Sequence, residues 1–173
     1  MIALASFIPY DDRIHRDQFF ELNVEYLTYI RDAGKKHHFE QAHSMLDHPR
    51  EYVESVFPEF TSIKPLEGII YILEVDGKVA GMGALRKLED GVGEIKRMYI
   101  RPEYQGRGYG KEMLTRLIAK ACEQGYHTLR LDTANFLEAA VHIYKSAGFK
   151  ERDKYPGTES EEGHYSIYME KKL

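Results

Sequence analysis

Gly106, Gly108 and Gly110 stand at alternate positions behind Gln105, with Arg107 and Tyr109 between them and Lys111 after them. Glycines at this density free the backbone to turn tightly, to aim successive N–H groups at one point and to let an oxygen-rich ligand come close. An amphipathic run follows at once, and the first N–H groups of a helix there have no partners within the helix. Together with the helix dipole they form a seat for phosphate, to which Arg107 and Lys111 add positive charge. The chemistry offered by Gln105 to Lys111 is therefore the binding of a phosphate-bearing ligand. The loop is not a P-loop, because two glycines around four residues followed by Lys-Ser or Lys-Thr are absent. Nor does it have the Gly-x-Gly-x-x-Gly spacing of a dinucleotide fold. Taken alone, the loop is also compatible with a tight turn that binds nothing.

Other reactive side chains offer less. Cys122 is the only cysteine, so there is no intrachain disulfide and no cysteine metal cluster; it reads as a small buried residue of a helix. His37, His38, His43 and His48 crowd one segment, but none forms the i, i+4 pair with glutamate of a zinc helix, and no metal is expected.

The elements that must position the loop follow from periodicity and turn chemistry. Residues 2–8 are apolar and bounded by Pro9 and Asp11-Asp12, which predicts a first strand. Phe19, Leu22, Tyr26, Leu27 and Ile30 recur at spacings of three and four, predicting a helix from Ile14 to Ile30 with Gly34 as its stop. A second helix starts at Asp47 or His48, before Pro49, and Pro58 and Pro65 bracket a loop ending at Gly68. Gly68–Val75 and Lys78–Leu85 flank Asp76-Gly77, a type I′ hairpin signal. Asp90-Gly91 turns the chain into a third strand, Val92–Ile100, which Arg101-Pro102 stops. Met113, Leu114, Leu117, Ile118 and Ala121 stripe the helix after the glycine loop, and His127–Asp132 alternates as a strand. A strand, loop, helix and strand in succession imply a right-handed crossover and a parallel pair. Ala139 to Tyr144 form another helix, and short strands are expected at Phe149–Arg152 and Tyr165–Met169.

A chain of 173 residues is one domain's length, and 1–173 reads as a single domain of α/β or α+β class around a mixed sheet. No apolar run approaches the ~20 residues of a membrane helix, and the start lacks the basic n-region of a signal peptide. The expected location is cytoplasmic. A net charge of −4 supplies no global attraction to nucleic acid or anionic membrane, so neither is an expected partner.

Gln105-x-x-Gly108-x-Gly110, preceded by Glu94-Ile95-Lys96-Arg97-Met98-Tyr99-Ile100-Arg101-Pro102-Glu103, closely resembles the acetyl-CoA signature of the GNAT superfamily of N-acetyltransferases. Leu129–Thr133, followed by Ala139–Phe149 with its Tyr144-x-x-x-Gly148-Phe149 ending, is similar to that family's later strand and helix. The resemblance is specific over 92–149 and uninformative before 68. It implies a GNAT-like, mostly antiparallel sheet flanked by helices, with one parallel pair after the glycine loop. The function it implies is direct acetyl transfer from acetyl-CoA, the acetyl donor co-substrate, to a primary amine of a small molecule or peptide. Two alternatives stay open: a non-catalytic CoA-binding module acting as sensor or partner subunit, and a nucleotide enzyme of another type. Many members of the superfamily pair, which leaves room for a homodimer.

By the same resemblance, the N–H groups of Gln105, Gly106, Arg107, Gly108, Tyr109, Gly110 and Lys111 hold the pyrophosphate. Met98, Tyr99 and Ile100 pair with the pantetheine arm, and the thioester lies where the sheet splays. Tyr144 takes the position of the acid that protonates the departing thiolate. Glu94 stands where some members keep a basic carboxylate, and strict alternation would put it on one face with Lys96, Met98 and Ile100. Leu137 occupies the position of a pantetheine-binding asparagine; Asn135 either substitutes for it or caps the next helix. Tyr26, Tyr29, Tyr52 and Tyr155 fall in segments that flank the acceptor cleft. Glu159-Ser160-Glu161-Glu162 is an acidic run that would favour a cationic acceptor if it faced that cleft.

Overall fold

A computed structural model describes residues 4–37, 44–159 and 165–173. The strands are β1 (Ala5–Pro9), β2 (Ile69–Val75), β3 (Lys78–Glu89), β4 (Val92–Ile100), β5 (Thr128–Ala134), β6 (Lys150–Arg152) and β7 (Ser166–Lys172). The helices are α1 (Asp12–Lys36), α2 (Ser44–Asp47), α3 (Pro49–Thr61), α4 (Tyr109–Glu123) and α5 (Glu138–Ser146). The strands form one sheet in the order β1-β2-β3-β4-β5-β7-β6. Every described pairing is antiparallel except β4 with β5. This is the mixed, mostly antiparallel architecture expected, with its one parallel pair joined through the glycine loop and α4.

Local chemistry explains most boundaries. Asp76 and Gly77 both take positive φ, 50° and 74°, as a type I′ turn requires, and the turn sets Val75 opposite Lys78. The Asp11 side chain caps α1 by accepting from the Arg13 N–H. In return, the Asp11 N–H donates to Nδ1 of the buried His15 at 2.9 Å. Two breakers do not break. Helix α1 runs through Gly34, which is buried, and α3 runs through Pro58 to Thr61. Phe57 and Phe60 are both buried, and their packing holds the last turn of α3 against the sheet despite the N–H that Pro58 lacks. Among the described residues no helix is long and apolar enough to cross a membrane.

The sheet divides two cores. On one side Phe19, Leu22, Leu27, Phe57 and Phe60 of α1 and α3 pack on Ile70, Ile72, Met82, Ala84 and Tyr99. On the other, Met113, Leu114, Leu117 and Ala121 of α4 pack with Leu85, Ile95, Leu129 and Leu131. Each of these leucine, isoleucine, phenylalanine and methionine side chains contributes about 1.5–3 kcal/mol of burial. Cys122 is exposed, not buried as expected. One residue past Ala121 it is rotated about 100° off the buried stripe, onto the outer face of α4.

Candidate active site

The site begins where the ladder between β4 and β5 ends. Those strands pair only at Val92 with Thr128, Gly93 with Leu129 and Glu94 with Arg130. Beyond Glu94, β4 keeps β3 on one side, up to Ile100 opposite Gly81. Toward β5 the backbone groups of its second half face a gap that a strand-like ligand could fill.

A β-bulge shapes this half. Ala84 opposes Lys96 and Met82 opposes Tyr99, so Arg97 and Met98 together stand opposite Gly83, and Arg97 takes φ 55°. A bulge resets side-chain alternation and re-aims residues. Glu94 and Lys96 accordingly lie on the α1/α3 face with their partners Arg86 and Ala84, while Met98 and Ile100 pack against the α4 core. The expectation that all four share a face is corrected by the extra residue. Left-handed backbone at a non-glycine residue costs about 1–3 kcal/mol, which the stacking of Arg97 on Phe60, 5.0 Å from the ring centroid, helps to offset.

The glycine loop borders the gap. Gly106 and Gly108 take φ 74° and 85°, whereas Gly110 is there for closeness: a Cβ would lie 3.2 Å from Ile143 Cδ1. The first bond of α4 runs from the Glu112 N–H to the Gly108 carbonyl at 3.0 Å. The N–H groups just before Glu112 therefore have no intrahelical acceptor. Gln105 ties the loop to β4 by donating from Nε2 to the Ile100 carbonyl at 2.8 Å. Arg107 lies over the Tyr104 ring, 5.7 Å from its centroid.

A cleft of about 710 Å³ joins these parts, lined by Met98, Tyr99 and Ile100 of β4, by Gln105, Gly106 and Gly108 to Lys111 of the loop, and by Tyr144 of α5. Arg107 is not part of the lining. Tyr144 is buried and packs edge-on to Phe149, centroids 6.1 Å apart. Burial first, then Tyr26 and Asp132, pushes its phenol well above the ordinary tyrosine range, so it stays protonated. Its hydroxyl donates to no described residue. Burial also pushes Tyr99 up to about 12. Tyr26, Tyr29, His37 and Leu137 line the same cleft, and the His37 ring stacks on Phe136 at 5.8 Å. Asn135 does not cap α5, whose N-cap is Leu137. Its N–H donates instead to the Tyr165 carbonyl at 2.8 Å, and it is not among the lining residues. His38, His43 and residues 160–162 of the acidic run lie outside the described residues.

Across the sheet, a second cavity of about 550 Å³ is lined by Tyr52, Phe60, Arg86, Gly157 and Glu159, among others. Glu94 lies near it but is fully buried, with both oxygens taken. Arg86 Nε donates to Oε2 at 2.6 Å and the Tyr155 hydroxyl to Oε1 at 2.8 Å. One carboxylate that sequence reasoning missed is felt by Tyr144, whose phenol it helps to push up. Asp132, two residues beyond the last ladder pair on β5, accepts from Lys96 Nζ at 3.3 Å and so bridges the gap between the strands. Its signal was its place in the Leu129–Thr133 block, but only the end of the ladder at Glu94 gives it this position.

Residues 18–149 match the acetyltransferase (GNAT) family. Over 98 residues the chain is 35% identical to the uncharacterized N-acetyltransferase YsnE of Bacillus subtilis, covering 56% of this chain and 64% of that one. The fold resembles the PaiA N-acetyltransferase of Thermoplasma acidophilum in complex with coenzyme A, with TM-score 0.72 and 16% identity over 98% of this chain and 99% of that one. It also resembles a GNAT family acetyltransferase from Elizabethkingia anophelis with acetyl-CoA bound, with TM-score 0.55 and 22% identity over 69% and 82% of the two chains. The matches span between 29% and 64% of the length of four curated relatives.

Proposed function

This chain belongs to the acetyltransferase (GNAT) family, and from that premise we propose that it moves an acetyl group from acetyl-CoA directly to a primary amine of a small molecule or peptide. The observation that carries the reading is the open edge of β4 beyond Glu94, set between a cradle of unpartnered N–H groups and the protonated phenol of Tyr144. The residues present fit the ligand. The loop and the start of α4 would hold its diphosphate, and Met98 to Ile100 would pair with its extended amide-bearing arm, as the coenzyme in relatives of this fold suggests. When bound, acetyl-CoA supplies the activated acyl carbon as a thioester.

The chain's own groups then handle the protons. An ammonium must lose one before its nitrogen can attack, and Asp132 is the carboxylate placed to accept it, directly or through water. Glu94, with both oxygens held, serves in this reading to position Arg86 and Tyr155 and not as the base. As the carbon–sulfur bond breaks, the nitrogen sheds its second proton to water, the Tyr144 hydroxyl gives its proton to the departing thiolate, and the solvent returns a proton to the Tyr144 oxygen.

Thiol release measured with acetyl-CoA and a panel of amines tests this, alongside calorimetric titration with acetyl-CoA, ATP and NAD. Tyr144→Phe should lower kcat about tenfold or more while CoA affinity stays within about twofold; an unaltered kcat removes the acid role. Binding of acetyl-CoA with no turnover of any amine would instead support a non-catalytic binding module.

A further inference from the structure

Behind Tyr26, on the acceptor side of the sheet, three cations meet three carboxylates. Arg86 pairs with Glu94, Lys96 with Asp132, and Glu159 reaches all three cations: Arg97 at 3.1 Å, Lys96 at 3.5 Å and Arg86 at 3.8 Å. The six are not equally fixed. Five stand on strands of the sheet, and Lys96 and Arg97 are more than nine-tenths buried. Glu159 alone comes from an irregular segment, just after Gly157 with its φ of 85°. Its side chain keeps 22% of its exposure and lines the 550 Å³ cavity. Burial alone would raise the Glu159 carboxyl, but Lys96 and Arg97 hold it below the usual range, so it is an anion in its place.

A further group is left over. Arg97 Nε is buried without a hydrogen-bond partner, which marks an arrangement that a ligand could complete. Without Glu159 the described cluster carries one surplus positive charge, and buried charge of that kind must be compensated. The cavity is of a size for a small molecule, and Asp132, on the same network, is the carboxylate assigned above to the ammonium.

We infer that the acceptor is an amine that also carries a carboxylate, and that this carboxylate takes the place of Glu159 on Lys96 and Arg97. Glu159 is thus an internal occupant of the acceptor's anion subsite. The inference rests on the acetyltransferase reading and makes its acceptor specific: an amino acid or an amine of similar zwitterionic form, with its ammonium toward Asp132 and its carboxylate toward Arg97. The expectation of a cationic acceptor from the acidic run is reversed at Glu159, because that side chain is spent on protein cations.

The test pairs each of the proteinogenic amino acids with its α-carboxamide in the thiol-release assay. The best acids should exceed their amides at least about tenfold in kcat/KM, since a buried cation left without its anion is penalised. Arg97→Gln and, independently, Lys96→Met should erase most of that ratio, with calorimetry showing CoA affinity retained. Amides used as well as acids, a ratio that survives both variants, or acetyl-CoA binding with no acid turned over would each overturn the inference. Failure to bind acetyl-CoA defeats the acetyltransferase reading instead, and the subsite is then decided without turnover. In Glu159→Gln the internal competitor is gone, so the same amino acids should raise its thermal midpoint more than that of the unaltered protein. An equal or smaller rise overturns the subsite.

Discussion

Replacing Gly108 by alanine separates the two things a glycine can do at a ligand loop. Gly108 has φ 85°, and a Cβ built on it meets nothing within 4 Å. The methyl therefore fits, and the cost is that of the backbone alone, about 1–2 kcal/mol for an L-residue held in the left-handed region. Gly125, just beyond the other end of α4, supplies the control: its φ is 81° and its Cβ also meets nothing within 4 Å. Gly108→Ala and Gly125→Ala should thus lower folding stability by similar amounts, read as the shift in urea midpoint at constant m. Their effects on ligand should differ. A loop relaxed toward negative φ at residue 108 turns its N–H groups away from a common point, and each charge-assisted bond to phosphate lost costs about 1.5–3 kcal/mol. Gly108→Ala should therefore weaken CoA binding at least about tenfold in calorimetric Kd, with Gly125→Ala unchanged. If Gly108→Ala loses stability like its control yet binds CoA with the original Kd, the loop is not the phosphate seat.

Three other outcomes follow from the packing and the charges. Glu94→Gln should destabilise folding by about 1.5–3 kcal/mol, because it weakens the bonds from Arg86 and Tyr155 at a fully buried site; a variant with normal urea stability and lost activity would restore Glu94 as a candidate base. Gly68→Ala should cost more than about 3 kcal/mol or prevent folding, since its Cβ would overlap the backbone oxygen of Leu85; wild-type stability would show the sheet is not packed this way. Hydrogen bonding from Arg130 first, with Lys172 and Arg152 outweighing burial, holds the Glu170 carboxyl down at about 2. Its folded pKa lies below the unfolded value of about 4.3, so its stabilisation is whole above that value and is lost as pH falls toward 2. The stability gap between the unaltered protein and Glu170→Gln should be larger at pH 6 than at about pH 3, by urea titration at each pH.

The amino-acid sequence by itself determined the elements and the place of the glycine loop, because their signals are short-range. Asp76-Gly77 must turn as it does because those residues tolerate positive φ. The stripe from Met113 to Ala121 must be buried because of its period, and Gly106 and Gly108 must open a helix start because little else tolerates their φ. Where a local signal met a packing demand, packing won, as at Gly34 and Pro58, both inside helices whose neighbouring apolar side chains are buried. The tertiary structure alone decided how the charged side chains around β4 are paired. The extra residue at Arg97 exists only in relation to the strand beside it, and it separates Glu94 and Lys96 from Met98 and Ile100. Both oxygens of Glu94 are held, one by Arg86 and the other by Tyr155, 61 residues away in the chain. Glu159 read only as one member of an acidic run, whereas Lys96 and Arg97 close on it in the fold. Hydrogen bonds and ion pairs between distant segments have no period and no turn preference. Their partners become definite only when the fold removes water and leaves each buried charge the neighbours it must have.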